Sequence, residues 1–171
     1  MKNTKIYIGL SNPKSPSNVG AIIRASSCFG ADAIFYTGRR YELSARFHTD
    51  THDASRVIPL IGVSSLLEKV SADTRIVCVE LVEGAAPLPA YVHPDKAIYI
   101  FGPEDGTISQ DIIDSADDVV YIPTSSCLNL AATVNVVLYD RIAKAAMPIS
   151  HDDLIRRSRD NNNRVRVKNK Q

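Results

Sequence analysis

The sequence predicts an α/β domain built on a mostly parallel sheet with helices on both faces. Short β-rich runs alternate along the chain with segments that can hold helices, the order of an α/β domain around a mostly parallel sheet. A length of 171 residues suits one such domain, large enough to bury roughly 70% of the surface its unfolded form would expose.

The runs are "KIYIGL", "DAIFYT", "RVIPLI", "RIVCVE", "AIYIFG" and "DVVYIP". Between the first two, Val19, Ile22, Ile23 and Phe29 recur at helical spacing, which predicts a helix over residues 18–29 with Arg24 in its middle. Further helices are expected over 40–47, through "SSLLEKV", over 108–114 and over 130–146. Thr107 and Gln110 have the spacing of a capping box, and Pro148 gives the last long helix a reason to stop. In that helix Leu130, Val134, Val137 and Leu138 make one apolar stripe, while Ala131, Ala132 and Val136 lie off it. A helix apolar around most of its circumference needs cover on two sides, which predicts a homodimer partner as the second.

Composition excludes several classes. Hydrophobic residues at 44% and charged ones at 23% are those of an ordinary globular protein, and no apolar stretch approaches the ~18 residues of a membrane span. Cys28, Cys78 and Cys127 are odd in number and lack metal-ligand spacing, so they read as reduced thiols in a cytoplasmic protein. Net charge is only +1, but from Arg156 onward the chain carries Arg157, Arg159, Arg164, Arg166, Lys168 and Lys170 against Asp160 alone. The division is therefore a domain over 1–150 and a basic tail over 151–171, expected to be a poorly ordered terminus, with a phosphate-binding arm as the alternative.

Ligands of open α/β sheets bind where strands end, so the loops after the strands hold the candidates. The first, "SNPKSPSNVGAIIRA", is neither a phosphate-cradling Walker loop nor a GxGxxG turn, which disfavours a dinucleotide oxidoreductase. On its helix Gly20, Arg24 and Ser27 share a face. Small neighbours let a ligand approach the guanidinium, although a solvated arginine would look the same. "FGPEDG" places Glu104 and Asp105 in a tight turn. In "IPTSSCLNLAA", Cys127 stands before a helix start, but nothing local pairs it with a histidine. His48 and His52, with Asp53, lack a third ligand at a metal-site spacing, so no metal is expected.

Together the three loops are far more specific. "NPKSPSNVGAIIRASSCFGAD", "AIYIFGPEDGTIS" and "VVYIPTSSCLNLAATVNVVLYD", in that order, resemble the three motifs of the TrmH family of SPOUT RNA methyltransferases, over residues 6–144. The resemblance implies a C-terminal deep trefoil knot, S-adenosylmethionine held in the knot loops, and a homodimer with the site near the subunit interface. It assigns Asn18 and Arg24 to the first motif, Glu104 to the second and Asn129 to the third as catalytic residues. It also implies that Leu81, Gly102, Ile122, Leu128 and Asn129 hold the cofactor. Cys127 and Ala131 stand where serines are common in relatives.

The reaction implied is transfer of a methyl group to a ribose 2′-hydroxyl, with tRNA as the expected RNA and no membrane or metal involved. Base methylation, an rRNA substrate, or a catalytically silent RNA-binding or ribosome-assembly factor are the alternatives. A guanidinium with a pKa above 12 is a poor general base. Arg24 is accordingly expected to hold the adjacent phosphate and stabilise the developing oxyanion.

Overall fold

The run "KIYIGL" forms β1 (Lys5–Leu10), and its whole length pairs in parallel with β6 (Lys96–Phe101), from Lys5 beside Lys96 to Leu10 beside Phe101. These two strands are the middle of the sheet, and Ile8, Leu10, Ile98, Tyr99 and Ile100 are essentially inaccessible to solvent. A computed structural model of the protein describes residues 4–45, 58–69, 71–145 and 151–168. Around the central pair stand β2 (Ala33–Tyr36), β3 (Leu60–Gly62), β4 (Arg75–Val79), β5 (Ala86–Pro87) and β7 (Asp118–Tyr121), in the order β3-β2-β1-β6-β4-β7-β5. Every pairing among the described strands is parallel, as the sequence predicts.

Alternation within the strands sends side chains to two cores. One gathers Ile6, Ile8, Leu10, Tyr99 and Phe101 under α1 (Pro16–Phe29) and α4 (Leu130–Lys144), which pack against each other. The other gathers Phe35, Cys78, Ile98 and Ile100 with Leu66 and Ile108, backed by the face of α3 (Gln110–Asp114) that carries Ile112 and Ile113. Helices thus lie on both faces. Burial pushes the Cys78 thiol up to about 12, so it stays protonated inside this core.

Local chemistry sets the helix ends. α1 starts two residues before the predicted Asn18 because Ser15 is its N-cap, accepting from the Asn18 N–H at 3.3 Å, and Pro16 occupies the first turn. It ends at Gly30, whose φ of 72° is the left-handed conformation glycine adopts without strain. α2 (Arg40–Ala45) matches the start of the predicted 40–47 segment, whose end lies outside the described residues.

Four expectations need correction. The capping box at Thr107 and Gln110 is not formed: Ser109 is the N-cap of α3 without a side-chain bond, and Gln110 donates instead to Asp114. "SSLLEKV" makes only one 3₁₀ turn, Leu67–Lys69. Ala131 belongs to the buried stripe of α4, leaving Ala132 and Val136 on its outer face. The tail contains α5 (His151–Ser158), whose Arg156 pairs with Asp153 at 2.6 Å. Pro148 lies outside the described residues.

Candidate active site

Strand order reverses between β1 and β6, and the loops beyond the carboxyl ends of β1, β6, β4 and β7 converge there. Glu104, in the turn after β6, is the hub. Its Oε2 accepts from the Lys14 N–H at 2.9 Å, and its Oε1 accepts from the Ser15 N–H and the Asn18 Nδ2, each at 3.0 Å. Asn18 Oδ1 in turn accepts from Asn129 Nδ2 at 3.0 Å. Asn129 uses its own Oδ1 to cap α4, accepting from the N–H groups of Ala131 at 2.8 Å and Ala132 at 3.3 Å. One chain of hydrogen bonds therefore joins the three loops, running Glu104 to Asn18 to Asn129.

The direction of that chain follows from its charged end. Partial burial alone would raise the Glu104 carboxyl, but the Asn18 amide and the Ser15 and Lys14 N–H groups outweigh it and hold the pKa below the usual glutamate value. As an ionised carboxylate it only accepts, which fixes the Asn18 amide with nitrogen toward Glu104 and oxygen toward Asn129. Asp105 beside it takes Arg40 at 2.8 Å and Lys14 at 3.6 Å. Chiefly the Arg40 hydrogen bond holds its carboxyl low, against a smaller opposing effect of burial.

The loops enclose a cavity of about 410 Å³. Leu81, Gly102, Ile122, Leu128 and Asn129 all line it, as do Asn18 and Glu104. Arg24 does not: it lies six residues beyond Asn18 on α1, about 9 Å along the axis, exposed and without an ion pair or hydrogen bond among the described residues. The space beside it is open, since a Cβ on Gly20 would meet nothing within 4 Å. Cys127 lines the cavity, and the one histidine whose side chain is described, His93, bonds Tyr99 and Asp140 instead. His48, His52 and Asp53 lie outside the described residues, among which no cluster of three or more potential metal ligands occurs. Nor is any described helix long and apolar enough to cross a membrane.

The sequence reading missed Glu80 and Lys14, both in the cavity wall. The signal was present for Glu80, a carboxylate at the carboxyl end of a strand. Lys14 contributes its backbone N–H, which no side-chain pattern announces.

A parallel α/β sheet with its loops knitted around a strand-end cavity defines a ligand-binding α/β domain, and comparison with known proteins narrows the class. The chain belongs to the SpoU rRNA methylase family, whose model matches residues 5–139. It is 26% identical over 141 residues to an uncharacterized tRNA/rRNA methyltransferase of Mycobacterium bovis, covering 78% of this chain and 44% of that one, and equally similar to one of Mycobacterium tuberculosis. The chain thus spans less than half the length of these curated relatives. Among solved structures it resembles an AdoMet-bound rRNA methyltransferase from Sinorhizobium meliloti, with a TM-score of 0.70 at 19% identity over 85% of this chain and 59% of that one. It also resembles a protein studied for 2-OH methylation of C/U34 on tRNA, with a TM-score of 0.70 at 19% identity over 84% and 92% of the two chains. A TrmH/SpoU tRNA modifying enzyme from A. aeolicus shares the fold at a TM-score of 0.65, 16% identity and 82% and 75% coverage. At these identities the structural likeness establishes a common fold.

Proposed function

We propose that the chain is an S-adenosylmethionine-dependent RNA 2′-O-ribose methyltransferase that acts on tRNA as a homodimer. The observation that carries this reading is the Glu104–Asn18–Asn129 chain closing three loops around one cavity. A volume of about 410 Å³ lies within the roughly 300–1,000 Å³ range of small-molecule sites. The wall fits the cofactor's chemistry: Leu81, Ile122 and Leu128 offer apolar surface for an adenine, and no phosphate cradle is needed for a molecule without phosphate. The cofactor supplies an electrophilic methyl group on a sulfonium.

This chain's residues then do the rest. Asn129 and Asn18 hold the loops in register, and Glu104 keeps the first loop against the second. Arg24, free of partners among the described residues, meets the RNA phosphate next to the target ribose and stabilises the 2′-oxyanion as it forms, the hydroxyl proton passing to that phosphate or to water. Ala131, where relatives commonly carry serine, still donates its backbone N–H to Asn129, so the helix cap does not depend on a hydroxyl. The knotted threading and a cytoplasmic location belong to the same reading.

The test is mass-spectrometric mapping of ribose methylation in total RNA from a deletion strain and its parent. Loss of one 2′-O-methyl nucleotide from tRNA is expected. Loss of a base methyl, or of a site in rRNA, would replace the substrate assigned here, and unchanged RNA would remove the enzymatic reading.

A further inference from the structure

Glu80 directly follows β4, and its side chain joins that of Glu104 as a carboxylate of the cavity wall. Its backbone N–H continues the sheet by donating to the Val120 carbonyl of β7 at 3.0 Å. Both of its carboxylate oxygens are occupied by main chain: Oε1 accepts from the Leu81 N–H at 2.9 Å, and Oε2 accepts from the Ile108 N–H at 3.0 Å, 28 residues away. Gly102 leaves the room this requires, since a Cβ there would stand 2.9 Å from Glu80 Oε2 and 3.2 Å from the Ile108 nitrogen. The Glu80 carboxylate thus links the end of β4 to the loop that follows β6, while its backbone N–H holds the neighbouring β7.

Accepting at both ends is something a carboxylate does and an amide cannot. A glutamine in the same place would turn an NH₂ toward either Leu81 or Ile108, setting donor against donor. We propose that Glu80 is a positioning residue that sets the width of the cofactor subsite by docking the Gly102–Ile108 loop against Leu81. The proposal rests on the function reading above, which makes Leu81 and Gly102 two walls of that subsite. Glu80 acts through the backbone of those walls and does not touch the transferred methyl.

The test uses the full chain and calorimetric titration with S-adenosylmethionine and, separately, S-adenosylhomocysteine. Glu80→Gln is expected to weaken both about tenfold, the loss of one hydrogen bond to a charged group, with affinity for unfractionated tRNA within twofold of wild type. KM for the cofactor should rise while KM for RNA stays. Gly102→Ala, which pushes the carboxylate off the Ile108 N–H, should give the same loss by itself, and the double variant should be little worse than either single one. If Glu80→Gln does not fold, the Gly102→Ala titration carries the test alone.

Wild-type binding with an unchanged Glu80→Gln affinity overturns the proposal. So does a parallel fall of cofactor and tRNA affinity tracking a lower Tm, which would make Glu80 a stabilising residue only. Weakened S-adenosylmethionine with unchanged S-adenosylhomocysteine would mean that Glu80 meets the sulfonium charge directly, which also overturns it. A wild type that binds neither molecule refutes the function reading itself, and this inference with it.

Discussion

Arg24, in the middle of α1, and Glu104, in the turn after β6, are both exposed charges, and the structure treats them oppositely. Glu104 is held by three donors and tethers loops, whereas Arg24 is left unpaired among the described residues, projecting from a helix whose opposite side, Ile22 and Ile23, is buried. An unpaired guanidinium costs less to recruit than a paired one, since it loses only hydration and side-chain freedom and no ion pair need break before it meets a phosphate. Arg24→Ala should therefore lower kcat on the true RNA by 10²–10³-fold, roughly the cost of removing one oxyanion donor, while calorimetry shows cofactor affinity unchanged. Arg24→Lys should rescue poorly, because one ammonium does not reproduce the bidentate fork. Near wild-type turnover of Arg24→Ala would return the residue to an ordinary solvated arginine. Arg24 and the three linked residues were legible in the sequence through the resemblance of their loops to the family's three motifs. The links were not, because which amide bonds which carboxylate depends on how β1, β6 and β7 are ordered in the sheet.

At the scale of elements, α4 is fixed at both ends by different chemistry. Asn129 caps its start at the cavity, and near its other end Arg141 donates to the carbonyl of Pro94 at 2.6 Å and to the Tyr99 hydroxyl at 2.9 Å. His93 extends that network, with Nδ1 at 2.7 Å from the Tyr99 hydroxyl and Nε2 at 2.8 Å from Asp140. Burial pushes the Tyr99 hydroxyl up to about 12, so it keeps its proton, and the Asp140 carboxylate can only accept. The neutral His93 ring therefore carries its proton on Nε2 and accepts at Nδ1. Burial lowers the His93 pKa and the positive charges of Arg141 and Lys144 add to it, while Asp140 opposes; the net direction is down. A base whose folded pKa is depressed contributes stability above its unfolded value of about 6.5 and loses it as pH falls toward the folded pKa. Tm should accordingly drop as pH is lowered from 7 through that window, and His93→Gln, which takes up no proton, should flatten the profile; a wild-type profile unchanged by the substitution would sink this account. Strands and long helices were legible because apolar periodicity reports them directly. The cap of α3, the two-residue β5 and the buried His93–Tyr99–Arg141 chain were not, since each depends on a tertiary contact that leaves no period in the sequence.

For the whole molecule two surfaces remain to be covered. Along α4, Ala132, Val136, Tyr139 and Ala143 form one exposed stripe opposite the face packed on the sheet and α1, with Tyr139 64% exposed. The homodimer of the proposed reading would bury it, so Tyr139→Asp should turn a light-scattering mass of twice 18.7 kDa into that of a monomer, and an unchanged mass would move the interface elsewhere. The second surface is the basic tail. Its expected cations divide in two: within α5 Arg156 is paired with Asp152 and Asp153 and Arg157 donates to the Asp153 carbonyl, while Arg159, Arg164, Arg166 and Lys168 follow the helix with no ion pair among the described residues. A cut inside α5 would confuse lost charge with lost structure, so the informative truncation is after Ser158. It removes those four cations and Lys170 against the single Asp160. Phosphate contacts release counterions, so the logarithm of affinity depends on the logarithm of salt with a slope of about −0.7 per contact on single strands and about −0.9 on duplexes. The truncated chain should bind tRNA more weakly at low salt, with a slope shallower by up to about 3.5 to 4.5 if all five cations touch phosphates, and should bind S-adenosylmethionine as the full chain does. A truncated chain with the same slope and the same tRNA affinity would make the tail a solvated terminus and leave Arg24, exposed on α1, as the cation that meets the RNA.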